Sequence, residues 1–117
     1  MRYIVKSQET IPIEKPGLDI AVYDSEDPFA SASMISVDGG HHRIKSTHSD
    51  RIYHVNAGSG WFEVEGVTTA VGTDDVIFLP RETGYSYGGK MKLFLVHAPG
   101  YLASGDQALP PLDTAGS

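Results

Sequence analysis

The sequence predicts an all-β fold, a barrel or sandwich of short strands. Its 13 glycines and 7 prolines in 117 residues imply frequent turns. Phe62 and Val64 alternate with Glu63 and Glu65, which is the period of a strand with one face in water. No apolar stripe with the 3.6-residue period of a helix is long enough for a substantial helix. The chain is therefore expected to form one domain of packed strands.

Strands are predicted where short apolar or alternating runs lie between turn residues. A proline-rich connection containing Pro12 and Pro16 is expected after the first strand, and Gly39 and Gly40 are expected to form a turn. The glycines at 58–60 and 87–89 are interpreted as hairpin glycines. The predicted strands are residues 2–5, 18–23, 34–38, 42–46, 51–56, 60–65, 67–71, 75–79, 84–87 and 91–97.

The C-terminal segment differs in composition from the rest of the chain. Residues 104–117 are polar and rich in proline and glycine, which predicts a mobile tail. The predicted domain is therefore residues 1–103, with no internal repeat.

Composition excludes several classes of protein. The absence of cysteine excludes a disulfide scaffold, a thiolate metal site and a cysteine nucleophile. The net charge of -6 argues against nucleic acid or an anionic membrane as the main partner. No apolar run approaches the roughly 18 residues of a membrane span, and the N-terminus lacks a signal-peptide core. A cytoplasmic protein is expected.

Residues 39–87 contain two spaced motifs. The first ends in Arg51-x6-Gly58 within the segment RIYHVNAGSGWFEVEG. In the second, Asp75 precedes VIFLP, and Pro80-x-Glu82-x2-Tyr85 follows. The last predicted strand and the residues that follow it read MKLFLVHAPGY.

In this order and spacing, the motifs resemble those of the cupin family over roughly residues 33–101. The resemblance implies a single-domain double-stranded β-helix, or jelly-roll barrel, with its site inside the barrel. In cupins the first motif is G-x5-H-x-H-x3,4-E-x6-G and the second is G-x5-P-x-G-x2-H-x3-N.

The positions at which cupins keep metal ligands hold other residues here. Arg51 occupies the glutamate position, and Tyr85 occupies the histidine position of the second motif. Gly89 stands where that motif has asparagine, and Glu82 replaces its middle glycine. Depending on how the spacing is counted, the two histidine positions of the first motif fall on Lys45 and Thr47, Ile44 and Ser46, or Ser46 and His48.

These substitutions argue against a metal cofactor. Arginine has no lone pair to donate and stays charged near neutral pH. Its repulsion of a cation is about 1 kcal/mol per unit charge at ~4 Å even in water, and it grows in a dry cavity. We therefore expect no metal and no other cofactor. His41 and His54 are interpreted as surface or hydrogen-bonded histidines.

The remaining inward-facing residues predict a pocket lined by cationic and phenolic groups. A guanidinium with phenol donors suits a carboxylate, a phosphate or a developing oxyanion. The predicted catalytic residues are Arg51, Tyr85 and His48. The predicted substrate-binding residues are Lys45, Tyr53, Tyr87, Phe62, Leu95 and His97. In the alternative interpretation, the tyrosines are plain core and Arg51 forms a structural ion pair with Asp50, Glu63 or Asp75.

Three functions are compatible with this pattern. The preferred hypothesis is a metal-independent, non-redox cupin enzyme, such as an isomerase, epimerase, dehydratase or cyclase, that acts on a small metabolite. The second is a ligand-binding cupin without turnover. The third is a metal-dependent oxygenase or isomerase with ligands from His42, His48 and His97.

The expected partners are a small molecule, which is anionic in one form of the hypothesis, and a second copy of the chain. The resemblance implies a homodimer, in which N-terminal strand 2–5 would pair with an open sheet edge of the neighbour.

Overall fold

The computed structural model describes residues 1–112, and its regular structure consists almost entirely of strands. Two short 3-10 turns, Ser7–Glu9 and Ala103–Gly105, complete the regular structure of this part. The strands are β1 (Ile11–Lys15), β2 (Leu18–Tyr23), β3 (Ser31–Ser46), β4 (Asp50–Val64), β5 (Val67–Gly72), β6 (Val76–Leu79), β7 (Tyr85–Ala98) and β8 (Asp106–Ala108). The predicted all-β fold is confirmed. Within residues 1–112, no helix has the length and apolar character needed to cross a membrane.

All strands belong to one antiparallel sheet with the order β1-β2-β3-β7-β4-β5. β6 pairs with β4 and β8 pairs with β3, outside that order. The long strands β3, β7 and β4 lie at its centre and bend the sheet around a core. This core includes Ile35, Val55, Phe62 and Leu93, which are all almost fully buried.

Three predicted turns are in fact bends inside long strands. The predicted strands 34–38 and 42–46 form β3, 51–56 and 60–65 belong to β4, and 84–87 and 91–97 belong to β7. The prediction was wrong because glycine was interpreted as a turn residue. These strands need glycine for another reason.

The glycines of the three strands lie against one another. Gly39 pairs with Gly89 across β3 and β7, and Gly60 pairs with Gly89 across β4 and β7. A Cβ atom on Gly60 would lie 2.2 Å from the carbonyl oxygen of Gly88. Glycine therefore permits the close approach of backbones where the sheet bends.

The N-terminal strand was predicted at the wrong place. Residues 2–5 form no strand, whereas Ile11–Lys15 pairs with Leu18–Tyr23. Pro12 suggested a connection because proline cannot donate a backbone hydrogen bond. Among the strands of residues 1–112, β1 pairs only with β2, so Pro12 lies on an edge strand, where proline is tolerated.

Residues 104–112 do not form the tail that composition predicts. Asp106–Ala108 pairs with residues 44–46 of β3. The backbone N–H of Leu109 donates to the Arg43 carbonyl at 2.9 Å, and the Arg43 guanidinium donates to the carbonyl of Pro110 at 3.4 Å. Backbone pairing holds this polar segment, and composition gives no signal for it. Residues 113–117 lie outside the described residues.

Candidate functional site

The inside of the barrel holds a cavity of about 260 Å³. Its walls come from the hairpin β1–β2 and from the inner faces of β3, β4 and β7. Apolar side chains such as Ile20, Ile35 and Leu95 form much of the lining. A mostly apolar cavity with a few buried polar groups is typical of a small-molecule site.

Arg51 is the central polar group of this cavity. It points inward because strand alternation places its exposed neighbours, Asp50 and Ile52, on the outer face. Its Nη1 donates to the Tyr85 hydroxyl at 2.6 Å, and the hydroxyls of Tyr85 and Tyr53 are 2.7 Å apart. A buried guanidinium and two phenols therefore form one hydrogen-bonded chain.

The counter-ion of Arg51 is Asp106 of β8, which accepts a hydrogen bond from Nη2. None of the three predicted ion-pair partners fills this role, since Asp50, Glu63 and Asp75 bind other groups. Burial alone would lower the pKa of the guanidinium, but the surrounding tyrosine and aspartate oxygens raise it. Arg51 therefore stays protonated, and its charge is balanced.

The tyrosines of the site are hydrogen-bond donors at neutral pH. Burial raises the pKa of Tyr53, Tyr85 and Tyr87 above the usual value of a phenol. Tyr87 stacks on Phe62 at a centroid distance of 4.9 Å and on His41 at 5.5 Å. The stacking fixes the ring of Tyr87 at the cavity wall.

His41 supplies a basic nitrogen at the cavity wall. Its Nδ1 lies 2.7 Å from the carbonyl oxygen of His42. Since a carbonyl only accepts, Nδ1 donates, and the lone pair of the neutral ring is on Nε2. Burial lowers the pKa of His41, and the charges of His42, Lys15 and Arg51 lower it further against the opposing hydrogen bond. His41 is therefore neutral at pH 7.

His97 is the cross-strand partner of Arg51 and is buried in the same cavity. Burial and the Arg51 charge lower its pKa to about 3. The ring of Tyr101 packs edge-on against it at 5.3 Å. His97 is consequently neutral and held in place.

The cavity brings together most of the residues predicted for the site. The predicted residues that line it are Arg51, Tyr53, Tyr87, Leu95 and His97. Tyr85 and Phe62 are buried next to this set and reach it through the hydroxyl of Tyr53 and the ring of Tyr87. His54 lies on the outer face, where its Nε2 is 3.3 Å from Asp74.

Lys45 and His48 do not belong to the cavity. Lys45 alternates with the buried Ile44 and Ser46, so it faces outward and pairs with Glu82 at 3.1 Å. His48 lies beyond the end of β3, near Gly105. An irregularity between His41 and Ile44 shifts the register of β3, and spacing in the sequence does not reveal it.

Sequence reasoning missed several lining residues. His41, interpreted as a surface or hydrogen-bonded residue, lines the cavity. Lys15, Asp24, Tyr101 and Asp106 line it as well. They lie on the edge hairpin and in the C-terminal segment, outside the motifs. Alternation of side chains along β2 suggests that Ile20 and Val22 face inward. No pattern in the sequence, however, connects Asp106 with Arg51.

The donor groups of this site do not fit a metal. Arg51 and Tyr85 occupy the positions at which the resemblance implies ligands, and the guanidinium repels a cation. Within residues 1–112, no three histidine or carboxylate side chains converge as a metal would require. The alternative set of His42, His48 and His97 is therefore wrong, because His42 is exposed and His48 lies outside the cavity.

Solved structures with the same fold include enzymes. Pac13 of Streptomyces, described as a unique nucleoside dehydratase, is 27% identical and superposes with a TM-score of 0.87 over 97% of this chain and 95% of its own. KdgF from Halomonas is 16% identical, with a TM-score of 0.76 over 89% and 98% of the two chains. A cupin of the RmlC type from Shewanella frigidimarina is 16% identical, with a TM-score of 0.72 over 85% and 92%.

No protein-family model matches the sequence, and no curated protein matches it significantly. The three-dimensional likeness therefore carries the assignment. An antiparallel sheet bent around a cavity with an internal polar centre fits the fold of a small-molecule cupin. The chain has the cupin fold, as its motifs predict.

Proposed function

We propose that this cupin is a metal-independent dehydratase that removes water from an uncharged, nucleoside-like metabolite inside the barrel. One observation carries the proposal. A neutral histidine, a protonated arginine and phenol donors surround one cavity, and the arginine stands at the motif position of a metal-binding carboxylate. This set offers a base and oxyanion donors without a metal.

His41 is the proposed base. Its Nε2 carries the free lone pair, and its lowered pKa keeps it neutral at physiological pH. It would take a proton from the carbon next to a substrate carbonyl, and the electron pair of that C–H bond would move onto the carbonyl oxygen. The electron pair on the oxygen would then return to re-form the carbonyl, the new carbon–carbon double bond would form, and the C–O bond to the β-hydroxyl would break. The hydroxyl would take the proton from His41 and leave as water, which restores the neutral base.

Arg51, Tyr53 and Tyr87 are the proposed oxyanion donors. All are protonated at neutral pH and line the same cavity. Buried donors fixed before the reaction stabilise a developing oxyanion more strongly than water does. Tyr85 would hold the Arg51 guanidinium in position through its hydroxyl.

The electrostatics favour an uncharged substrate. Asp106 neutralises Arg51, and His41 and His97 are neutral. The two other charged lining residues, Lys15 and Asp24, are opposite in sign. An anionic ligand would have to compete with the Asp106 carboxylate. A polar but uncharged molecule such as a nucleoside matches this cavity better than the acid considered from the sequence.

The comparison with Pac13 supports the same residues. Solved variants of that protein, each with uridine, replace one histidine or one of two tyrosines. The two tyrosines are as far apart along their chain as Tyr53 and Tyr87 are here. The histidine lies one residue further from the first tyrosine than His41 lies from Tyr53.

The test measures uridine binding by calorimetry, and turnover of nucleosides with a carbonyl β to a hydroxyl by mass spectrometry. Protein treated with EDTA should bind and convert as untreated protein does. His41→Gln should lower kcat by about 100-fold or more, the usual contribution of a general base. Arg51→Ala should abolish binding or turnover in a protein whose circular dichroism is unchanged.

His54→Gln is the matched control, because His54 lies on the outer face of the same barrel. It should leave both measurements unchanged. Activity that disappears with EDTA and returns with a divalent cation would contradict the proposal. Binding without turnover of any β-hydroxy carbonyl compound would instead favour the ligand-binding cupin without catalysis.

A further inference from the structure

Two buried polar atoms of the cavity have no hydrogen-bond partner. Among residues 1–112, Nε of Arg51 and Nδ1 of His97 are the buried side-chain nitrogens or oxygens left without one. Arg51 is 4% exposed and His97 is 5% exposed. Leaving a buried polar group unpaired is costly, so such groups are usually paired with protein, water or ligand.

The two atoms belong to neighbouring side chains. Arg51 on β4 and His97 on β7 are directly opposite in the strand register, and both line the cavity. Directly opposite residues have Cβ atoms roughly 4.5–5.5 Å apart and extend on the same side of the sheet. One ligand atom between them is therefore within reach of both.

The chemistry of the pair selects the ligand group. Nε of arginine only donates. Nδ1 of a neutral imidazole accepts when the proton is on the other nitrogen, and the positive charge of the adjacent guanidinium favours that tautomer. A single atom that accepts from Arg51 and donates to His97 is a hydroxyl oxygen. A carboxylate or a carbonyl could accept from Arg51 but could not donate to His97.

We propose that Arg51 Nε and His97 Nδ1 form a subsite for one hydroxyl group of the substrate. The subsite rests on the proposed function in that its hydroxyl belongs to the molecule bound in the cavity. It selects ligands that carry a hydroxyl there, because a deoxy ligand leaves both nitrogens unpaired.

Crystals of the full chain soaked with uridine test the geometry. A ribose hydroxyl oxygen within hydrogen-bond distance of both Nε of Arg51 and Nδ1 of His97 is expected. A parallel soak with glycerol tests the subsite without a nucleoside, since glycerol presents only hydroxyls. A glycerol hydroxyl between the two nitrogens, with uridine not bound, would refute the nucleoside proposal and support the subsite. Only a water there in both soaks, or the uracil ring in that position, would overturn the subsite.

Calorimetry tests the selectivity. The 2′-deoxy and 3′-deoxy forms of uridine each lack one ribose hydroxyl. Wild-type protein should bind uridine about 10- to 100-fold more tightly than the deoxy form that lacks the hydroxyl held in the subsite. His97→Phe keeps the ring size but removes both nitrogens, so it should bind uridine and that deoxy form with nearly equal affinity. His97→Asn retains a polar group near the Nδ1 position and should restore part of the preference. A preference that survives His97→Phe unchanged would overturn the proposal.

Discussion

Arg51 occupies the position at which cupin motifs carry a metal-binding carboxylate, and its surroundings match this replacement. Its Nη1 donates to Tyr85, and Nη2 pairs with Asp106. A buried guanidinium needs such partners, because an unpaired charge in the barrel costs several kcal/mol. The replacement thus involves a set of residues, of which Asp106 lies far away in the sequence.

The lowered pKa of the single residue His97 predicts how the stability of the protein depends on pH. Its pKa of about 3 in the folded protein lies below the ordinary value of 6.5, because burial and Arg51 disfavour the charged ring. The unfolded chain therefore takes up a proton first as the pH falls. The contribution of His97 is complete above about pH 6.5 and is lost at about 1.4 kcal/mol per pH unit down to about pH 3.

Urea denaturation at a series of pH values measures this effect. Between about pH 6 and about pH 4, wild-type protein should lose more unfolding free energy than His97→Phe, by about 1.4 kcal/mol per unit. His54→Gln should keep the wild-type slope, because His54 lies on the outer face. Parallel curves for wild type and His97→Phe would show that His97 titrates alike in the folded and unfolded chains.

At the scale of elements, the bends of the long strands depend on glycines. A side chain at these positions would collide with the backbone of the neighbouring strand. Gly60→Ala places a Cβ atom 2.2 Å from the carbonyl oxygen of Gly88. Because that neighbour is backbone, β4 and β7 must separate. We expect a loss of about 1–3 kcal/mol of unfolding free energy, measured by chemical denaturation.

Gly72→Ala is the control for this prediction. Gly72 ends β5, and a Cβ atom there has no heavy atom within 4 Å. Gly72→Ala should leave the unfolding free energy unchanged or raise it slightly, since alanine lowers the conformational entropy of the unfolded chain. Equal destabilisation by the two changes would contradict the prediction, because only Gly60 has a backbone atom in the path of the added Cβ.

The edge elements also decide the composition of the cavity. β1 and β8 are short strands at the margins of the sheet, yet Lys15 comes from one and Asp106 from the other. Backbone pairing with β2 and β3 brings them there. Such pairing depends on neighbours distant in sequence, so the composition of a short polar strand does not predict it.

At the scale of the whole molecule, an apolar row crosses the outer face of the sheet. We call the residues of this row, each paired with the next across neighbouring strands, the outer row: Phe78, Ile52, Val96, Ala32 and Tyr23. Phe78 is 69% exposed and Ile52 is 42% exposed. The other three residues are half-buried, so Phe78 and Ile52 supply the exposed apolar surface, which commonly marks an interaction site.

The outer row is a candidate contact for the predicted homodimer, since residues 2–5, which were expected to pair with the neighbour, form no strand. A second copy can stack the same face on this one about a twofold axis, so that apolar residues lie on both sides of the contact. Phe78→Glu would place carboxylates in that contact. We therefore expect light scattering to give a dimer for wild-type protein and a monomer for Phe78→Glu.

Val67→Glu serves as the control, because Val67 is 65% exposed but lies outside the outer row. It should remain a dimer. A wild-type monomer at micromolar concentration would contradict the prediction, and a dimer that persists in Phe78→Glu would exclude this face.

The sequence by itself determines the all-β barrel, its cupin motifs and the inward positions of Arg51, Tyr53 and Tyr87. These features are local, because strand alternation and motif spacing act over a few residues. The tertiary structure alone decides that Gly60 marks a bend, and that Asp106 and His41 join the cavity. These features depend on register and on pairing between distant strands. A shift by one residue turns a side chain from the cavity to the solvent.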